Sequence, residues 1–235
     1  MVAVVIAGAT IASSALEAQQ VPNPEKAVQI WIDRASEARE LVSDGEHRRA
    51  RKQLDRLLAE MCDDDASSRA PASLLASAVV LRALTEAALN NDYDAAWDLA
   101  IARALDPDLG GEDPSEYREL ADKLKAAELR WGAPAHYFDG RRDEVSDGRF
   151  EPPQKRQGSF PKRNRRKPMS ATTTVAVGTF VDRTGRIRSP HLPFGPSQPV
   201  LAFAAMDHLR RWKVSPARLD GEPIAAYYEF RFHFR

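Results

Sequence analysis

The chain has 235 residues, 43% of them apolar and 29% charged, proportions that suit one large or two small globular domains and exclude a collagen-like or wholly disordered chain. Its 34 basic and 34 acidic side chains cancel, so no whole-molecule field gathers nucleic acid, membrane or acidic substrate by long-range steering. A lone cysteine, Cys62, excludes an internal disulfide and cannot supply a zinc ribbon or a paired redox motif; it reads as a small buried apolar residue.

From Val2 to Leu16 the residues are small and apolar, giving way to Glu17, Ala18 and a Pro22/Pro24 pair. This is the pattern of an export signal over residues 1–18. About 15 apolar residues rise only about 22 Å as a helix, short of the roughly 30 Å hydrocarbon core, so no stable membrane span is expected. No basic residue precedes the apolar run; a start further upstream would bring an inner-membrane anchor back into contention.

Residues 24–131 carry helical periods. Ala27, Ile30, Trp31, Ala35, Ala38, Leu41 and Val42 form one stripe, begun by Asn23-Pro24 and ended by Asp44-Gly45. Ala50, Leu54, Leu57, Leu58 and Met61 form the next, which stops at Asp63, Asp64 and Asp65. Residues 72–89 are apolar nearly all round, as in a helix covered on several sides. Beyond Asn90-Asn91-Asp92 a fourth stripe runs through Tyr93, Ala96, Trp97, Ala100 and Leu105. Asp113-Pro114-Ser115-Glu116 starts a fifth, through Leu120, Leu124 and Ala127 towards Trp131. Two hairpins plus one helix result. Gly45 with Ala50, and Asn91-Asp92-Tyr93 with Ala96, resemble the turns of tetratricopeptide repeats, although the two units lie about 46 residues apart against roughly 34 in that family. The resemblance implies a helical stack whose concave face holds another protein's segment; a helical domain with no groove to offer is the alternative.

Gly, Pro and charge dominate residues 132–159, the expected linker. Lys155, Arg156, Lys162, Arg163, Arg165, Arg166 and Lys167 form a basic patch uninterrupted by acid. Anionic lipid headgroups, lipopolysaccharide or an acidic protein are its accessible partners, with a merely solvated stretch as the alternative.

In residues 171–235, Val175, Val177, Thr179 and Val181 alternate with Thr174, Ala176, Gly178 and Phe180, the period of a strand. Asp182-Arg183-Thr184-Gly185 is a turn, and residues 186–188 return as a second strand. Val200, Leu201, Ala204, Ala205, Leu209 and Trp212 mark a helix, and Tyr228, Phe230, Phe232 and Phe234 alternate with Tyr227, Glu229, Arg231 and His233 in a last strand. The expected fold is thus α+β in two domains: an all-α helical-hairpin domain over 24–131 and a ββαβ domain with a small antiparallel sheet over 160–235.

The second domain resembles the carboxy-terminal domain of TonB-family proteins. Phe160-Pro161, Val175-Ala176-Val177 with Val181-Asp182 and Gly185, then Trp212-Lys213-Val214, Pro216-Ala217 and Gly221-Glu222-Pro223-Ile224 follow that family's order. Thr173 stands where the family usually has glycine, and Ala202 where aspartate is common. The resemblance implies a periplasmic or envelope protein that binds other proteins, including segments of outer-membrane transporters.

No phosphate loop, His-Glu-x-x-His or Gly-x-Ser-x-Gly motif occurs, and His47, His136, His191, His208 and His233 lack metal-ligand spacing. No enzymatic activity, cofactor, metal or nucleic-acid partner is expected. The leading expectation is capture of a partner's segment by strand addition at the last strand, through Ile224, Ala226, Tyr227, Glu229, Arg231 and His233, with homodimerisation competing for the same edge. The alternative is an energy transducer for outer-membrane transport.

Overall fold

The helical periods close into five helices in the computed structural model, which describes residues 24–62, 70–139, 149–159, 173–195 and 198–234. They are α1 (Pro24–Ser43), α2 (His47–Met61), α3 (Ala72–Ala88), α4 (Asp92–Leu105) and α5 (Glu119–Trp131). Both hairpins turn by the same device. Gly45 and Asn90 take positive φ of 77° and 60°, and Glu46 and Asn91 donate back to the Leu41 and Glu86 carbonyls, the bonding of a Schellman end. The expected start at Asp113 caps a 3-10 turn, Pro114–Tyr117, by accepting the Ser115 N–H at 2.9 Å. Arg118, at φ 39°, separates that turn from α5.

The sheet region contains β1 (Phe138–Asp139), β2 (Phe150–Glu151), β3 (Lys155–Gln157), β4 (Thr173–Val181), β5 (Ile187–His191), α6 (Pro199–Leu209), β6 (Lys213–Val214), β7 (Ala217–Leu219), β8 (Glu222–Ile224) and β9 (Ala226–Phe234). The main sheet runs β1-β9-β4-β5, with β4 and β9 antiparallel from Thr173↔Phe234 to Val181↔Ala226. Smaller ladders join β2-β7-β8 and β3-β6. The mixed α+β class is as expected, and the export-signal segment and the triple aspartate lie outside the described residues.

Residues 132–159 do more than link. Their short strands β1, β2 and β3 pair with β9, β7 and β6. Few side chains are apolar, and aromatic rings supply part of the packing. The Phe138 and Phe150 rings stack at 5.3 Å, and the Lys155 ammonium lies 4.2 Å from the Trp212 ring. Gly158 lies so close to that indole that a Cβ would overlap it, and the Trp212 Nε1–H donates to the Ser159 carbonyl at 2.8 Å.

One hydrophobic core runs through both regions. α6 is buried at Ala202, Phe203 and Met206 as well as at Val200, Ala205 and Leu209, a wider band than its apolar period predicts. The sheet covers one side and α3 and α4 the other. Trp97 donates its Nε1–H to the Met206 carbonyl at 3.2 Å, and Tyr93 its hydroxyl to the Ile187 carbonyl at 2.9 Å. The Arg186 guanidinium lies 4.6 Å from both the Tyr93 and the Trp131 rings. The α3–α4 hairpin therefore holds a segment of its own chain.

Candidate partner-binding edge

β9 is built by strict alternation. Phe230, Phe232 and Phe234 are buried, and the Trp212 ring lies 5.8 Å from Phe230 and 5.2 Å from Phe232. Tyr227, Glu229, Arg231 and His233 occupy the opposite face, as period two requires. On one edge β4 pairs with all nine residues. On the other, β1 runs parallel in the register Phe138↔Ala226 and Asp139↔Tyr227, and the Phe138 N–H donates to the Ala225 carbonyl at 2.8 Å. Because main-chain groups alternate along a strand, those of Tyr227, Glu229, Arg231 and His233 point to the side that Ala225 uses.

The expected edge residues divide accordingly. Ile224 is not on this edge: it belongs to β8 and pairs with Ala217 of β7. Asp220 and Gly221 both take positive φ, 53° and 83°, which makes the tight turn that folds β8 back on β7; what reads in the sequence as one strand from Pro223 divides at Ala225, between β8 and β9. Ala226 is fully buried and, with Tyr227, lies against β1. Arg231 and His233 are exposed; the His233 Nδ1 is 3.0 Å from the Thr174 hydroxyl. Lys155 and Arg156 of the basic patch lie on β3, while Lys162, Arg163, Arg165, Arg166 and Lys167 fall outside the described residues.

Sequence reading missed the role of Gly178. Opposite Glu229 on one side and His191 on the other, it carries no side chain, and the Tyr227 hydroxyl and His191 Nε2 meet across it at 3.3 Å. A Cβ at 178 would overlap both. Phe180 and Tyr137, their rings 4.6 Å apart, extend this aromatic surface beside the edge. A glycine inside a period-two run is the signal that marks such a close approach.

A second missed feature fixes the sheet to the helices. Arg82 of α3 grips Asp98 of α4 with two bonds, Nε at 2.8 Å and Nη2 at 2.9 Å, and reaches Asp207 of α6 at 3.1 Å. Arg210 meets the same two carboxylates at 3.1 and 2.7 Å. Asp98 is fully buried. Burial pushes the Asp207 carboxyl up, but Arg210, Arg82 and Arg211 outweigh it and hold the group below the usual carboxylate range. Asp55 at 3.4 Å from Arg82, Asp94 at 3.5 Å from Arg210 and Arg211 at 3.2 Å from Asp207 extend the network, in which every charge faces an opposite one. Burial also pushes the nearby Cys62 thiol up to about 12, which keeps it protonated and unreactive at neutral pH.

Residues 156–235 match the family model described as Gram-negative bacterial TonB protein C-terminal. No curated protein and no solved structure matches the chain. The match covers the sheet region from β3 onward and identifies it as a TonB-like, protein-interacting domain of the cell envelope. Among the described residues no helix is long and apolar enough to cross a membrane.

Proposed function

We propose that this chain is a non-enzymatic interaction protein of the cell envelope, whose TonB-type domain takes an extended partner segment as an added strand on the outer edge of β9. The observation that carries this reading is the asymmetry of β9. β4 pairs with it from end to end, whereas among the described residues β1 pairs with it at Ala226 and Tyr227. The chain's own β1 is a model of how a visiting strand bonds there. Beyond it, the main-chain groups of Arg231 and His233 turn to the same side, and no strand pairs with them there among the described residues. An edge of this kind is completed by a partner's backbone, with alternate side chains supplying selectivity. A segment of an outer-membrane transporter is the partner that the family match favours, and a second copy of the chain competes for the same groups.

Arg231→Pro tests the reading, because proline removes the outward N–H and none of the bonds to β4. With a peptide from the periplasmic side of an outer-membrane transporter, the expected loss is at least about tenfold in affinity, roughly one hydrogen bond plus its register. Arg231→Ala keeps most of the binding. Hydrogen exchange on the unaltered chain reads the same edge: the Arg231 and His233 amides gain protection when the peptide is added. Unchanged exchange at both positions while the peptide is bound would remove β9 from the mechanism.

A further inference from the structure

β1, β2 and β3 all come from residues 132–159, but they are fastened unequally. β2 is held at its entrance by Arg149, whose guanidinium donates to both carboxylate oxygens of Asp220 and whose carbonyl accepts the Asp220 N–H at 2.9 Å. β3 is held by Trp212, through Lys155, Gly158 and Ser159, and by the Ser215 N–H, which donates to the Gln154 carbonyl at 2.8 Å. Pro153, between the two strands, is buried. Around β1 the packing is thinner. Tyr137 and Phe138 rest their rings on Phe180 and Phe150, yet none of residues 132–139 is buried and Tyr137 is 47% exposed. A cleft of about 640 Å³ opens beside the segment, lined by Tyr137 and Phe138 together with Asp182, Arg188, Leu219 and Ile224. Such a segment opens locally at lower cost than β4, whose Val177 and Val181 are fully buried.

The position of β1 gives this loose packing a consequence. The Phe138 N–H occupies the Ala225 carbonyl, and Phe138 and Asp139 stand opposite Ala226 and Tyr227. This is the edge of β9 on which a guest strand would sit. Main-chain groups turn to that side at every second residue, so a guest running the length of β9 needs the Ala225 carbonyl and the outward groups of Tyr227 as well as those of Arg231 and His233. Guest and β1 cannot hold the same groups together.

We infer that β1 is an autoinhibitory strand, which covers the Ala225–Tyr227 end of the docking edge in the unliganded chain and leaves it when a partner's strand enters. The inference rests on the strand-addition reading and adds its regulation. Residues 132–137 alone separate β1 from the end of α5, so the displaced segment stays tethered close to the edge and rebinds when the guest departs. The guest's apparent affinity is lowered in proportion to the time β1 spends docked. A strand that offers fewer main-chain bonds than a full-length guest does not displace β1, and the edge thereby discriminates against short or mispaired visitors.

Hydrogen exchange on the unaltered full chain, with and without a peptide from the periplasmic side of an outer-membrane transporter, reads both events at once. On binding, the Phe138 amide is expected to lose protection by at least about tenfold while the Arg231 and His233 amides gain it. Phe138→Pro removes the N–H that bonds to Ala225 and is expected to bind the peptide about fivefold more tightly, the net weight of one hydrogen bond. Should that variant not fold, the exchange measurement on the unaltered chain decides by itself. Protection retained at Phe138 while Arg231 and His233 become protected would overturn the inference and leave strand addition standing. A folded proline variant whose affinity is unchanged or weaker would overturn it as well. No change at any of the three amides, with the peptide shown by titration to be bound, would remove strand addition at β9 and the inference with it.

Discussion

α3 is buried on every side from Leu75 to Ala87, whereas β9 is buried on one face and fully paired along one edge. The two regions therefore play different parts. The helical region surrounds its central element, and where it must accept a charge, Arg82, it supplies Asp98 from the next helix and Asp207 from α6. The sheet region leaves its last strand with main-chain groups directed outward. The interior element is enclosed by its neighbours, whereas the border element is paired end to end along one edge among the described residues.

That contrast can be broken at the seam. Asp98→Ala leaves Arg82 and Arg210 short of a buried counter-charge and is expected to cost about 3–5 kcal/mol, measured by urea denaturation. Trp97 and Trp212 report from the two regions. Coincident loss of both signals in one transition is expected because the core is shared; two separated transitions would divide the molecule into independent domains. Gly178→Ala comes next, at about 1–3 kcal/mol, because the new methyl group must displace Tyr227 or His191. A variant as stable as the parent would show that this aromatic surface yields without cost. Arg186→Ala, which removes the cation between Tyr93 and Trp131, is expected to cost about 1 kcal/mol, with a change in Trp131 fluorescence.

The gentlest probe is pH. Asp207 binds its proton less readily folded than unfolded, so its stabilising contribution is present above the ordinary aspartate range, near pH 4, and fades as pH falls through its lower folded value. Asp207→Asn should flatten the acid limb of the stability profile below about pH 4. An unchanged limb would place the acid sensitivity elsewhere.

Much of this was legible in advance. Stripes at three- and four-residue steps placed α1 to α4 because each has one apolar side or is apolar throughout. The alternation in β4 and β9 placed the sheet. What could not be read has physical causes. β1 and β2 have two residues each, too few for any period, and exist because neighbouring strands have main-chain groups to satisfy. Arg82 and Asp207 are separated by 125 residues, and nothing local marks them as partners. Ile224 was assigned to the wrong strand because Pro223 to Phe234 reads as unbroken, although a residue as small as Ala225 suffices to step from one ladder to another.

The charge carried by β9 has a bearing on how such a border behaves. A long, flat, apolar border invites identical molecules to stack into fibrils. Here β1 covers one end of that border, and the exposed Arg231 and His233 stand towards the other. Cationic side chains on a border strand oppose stacking of that kind.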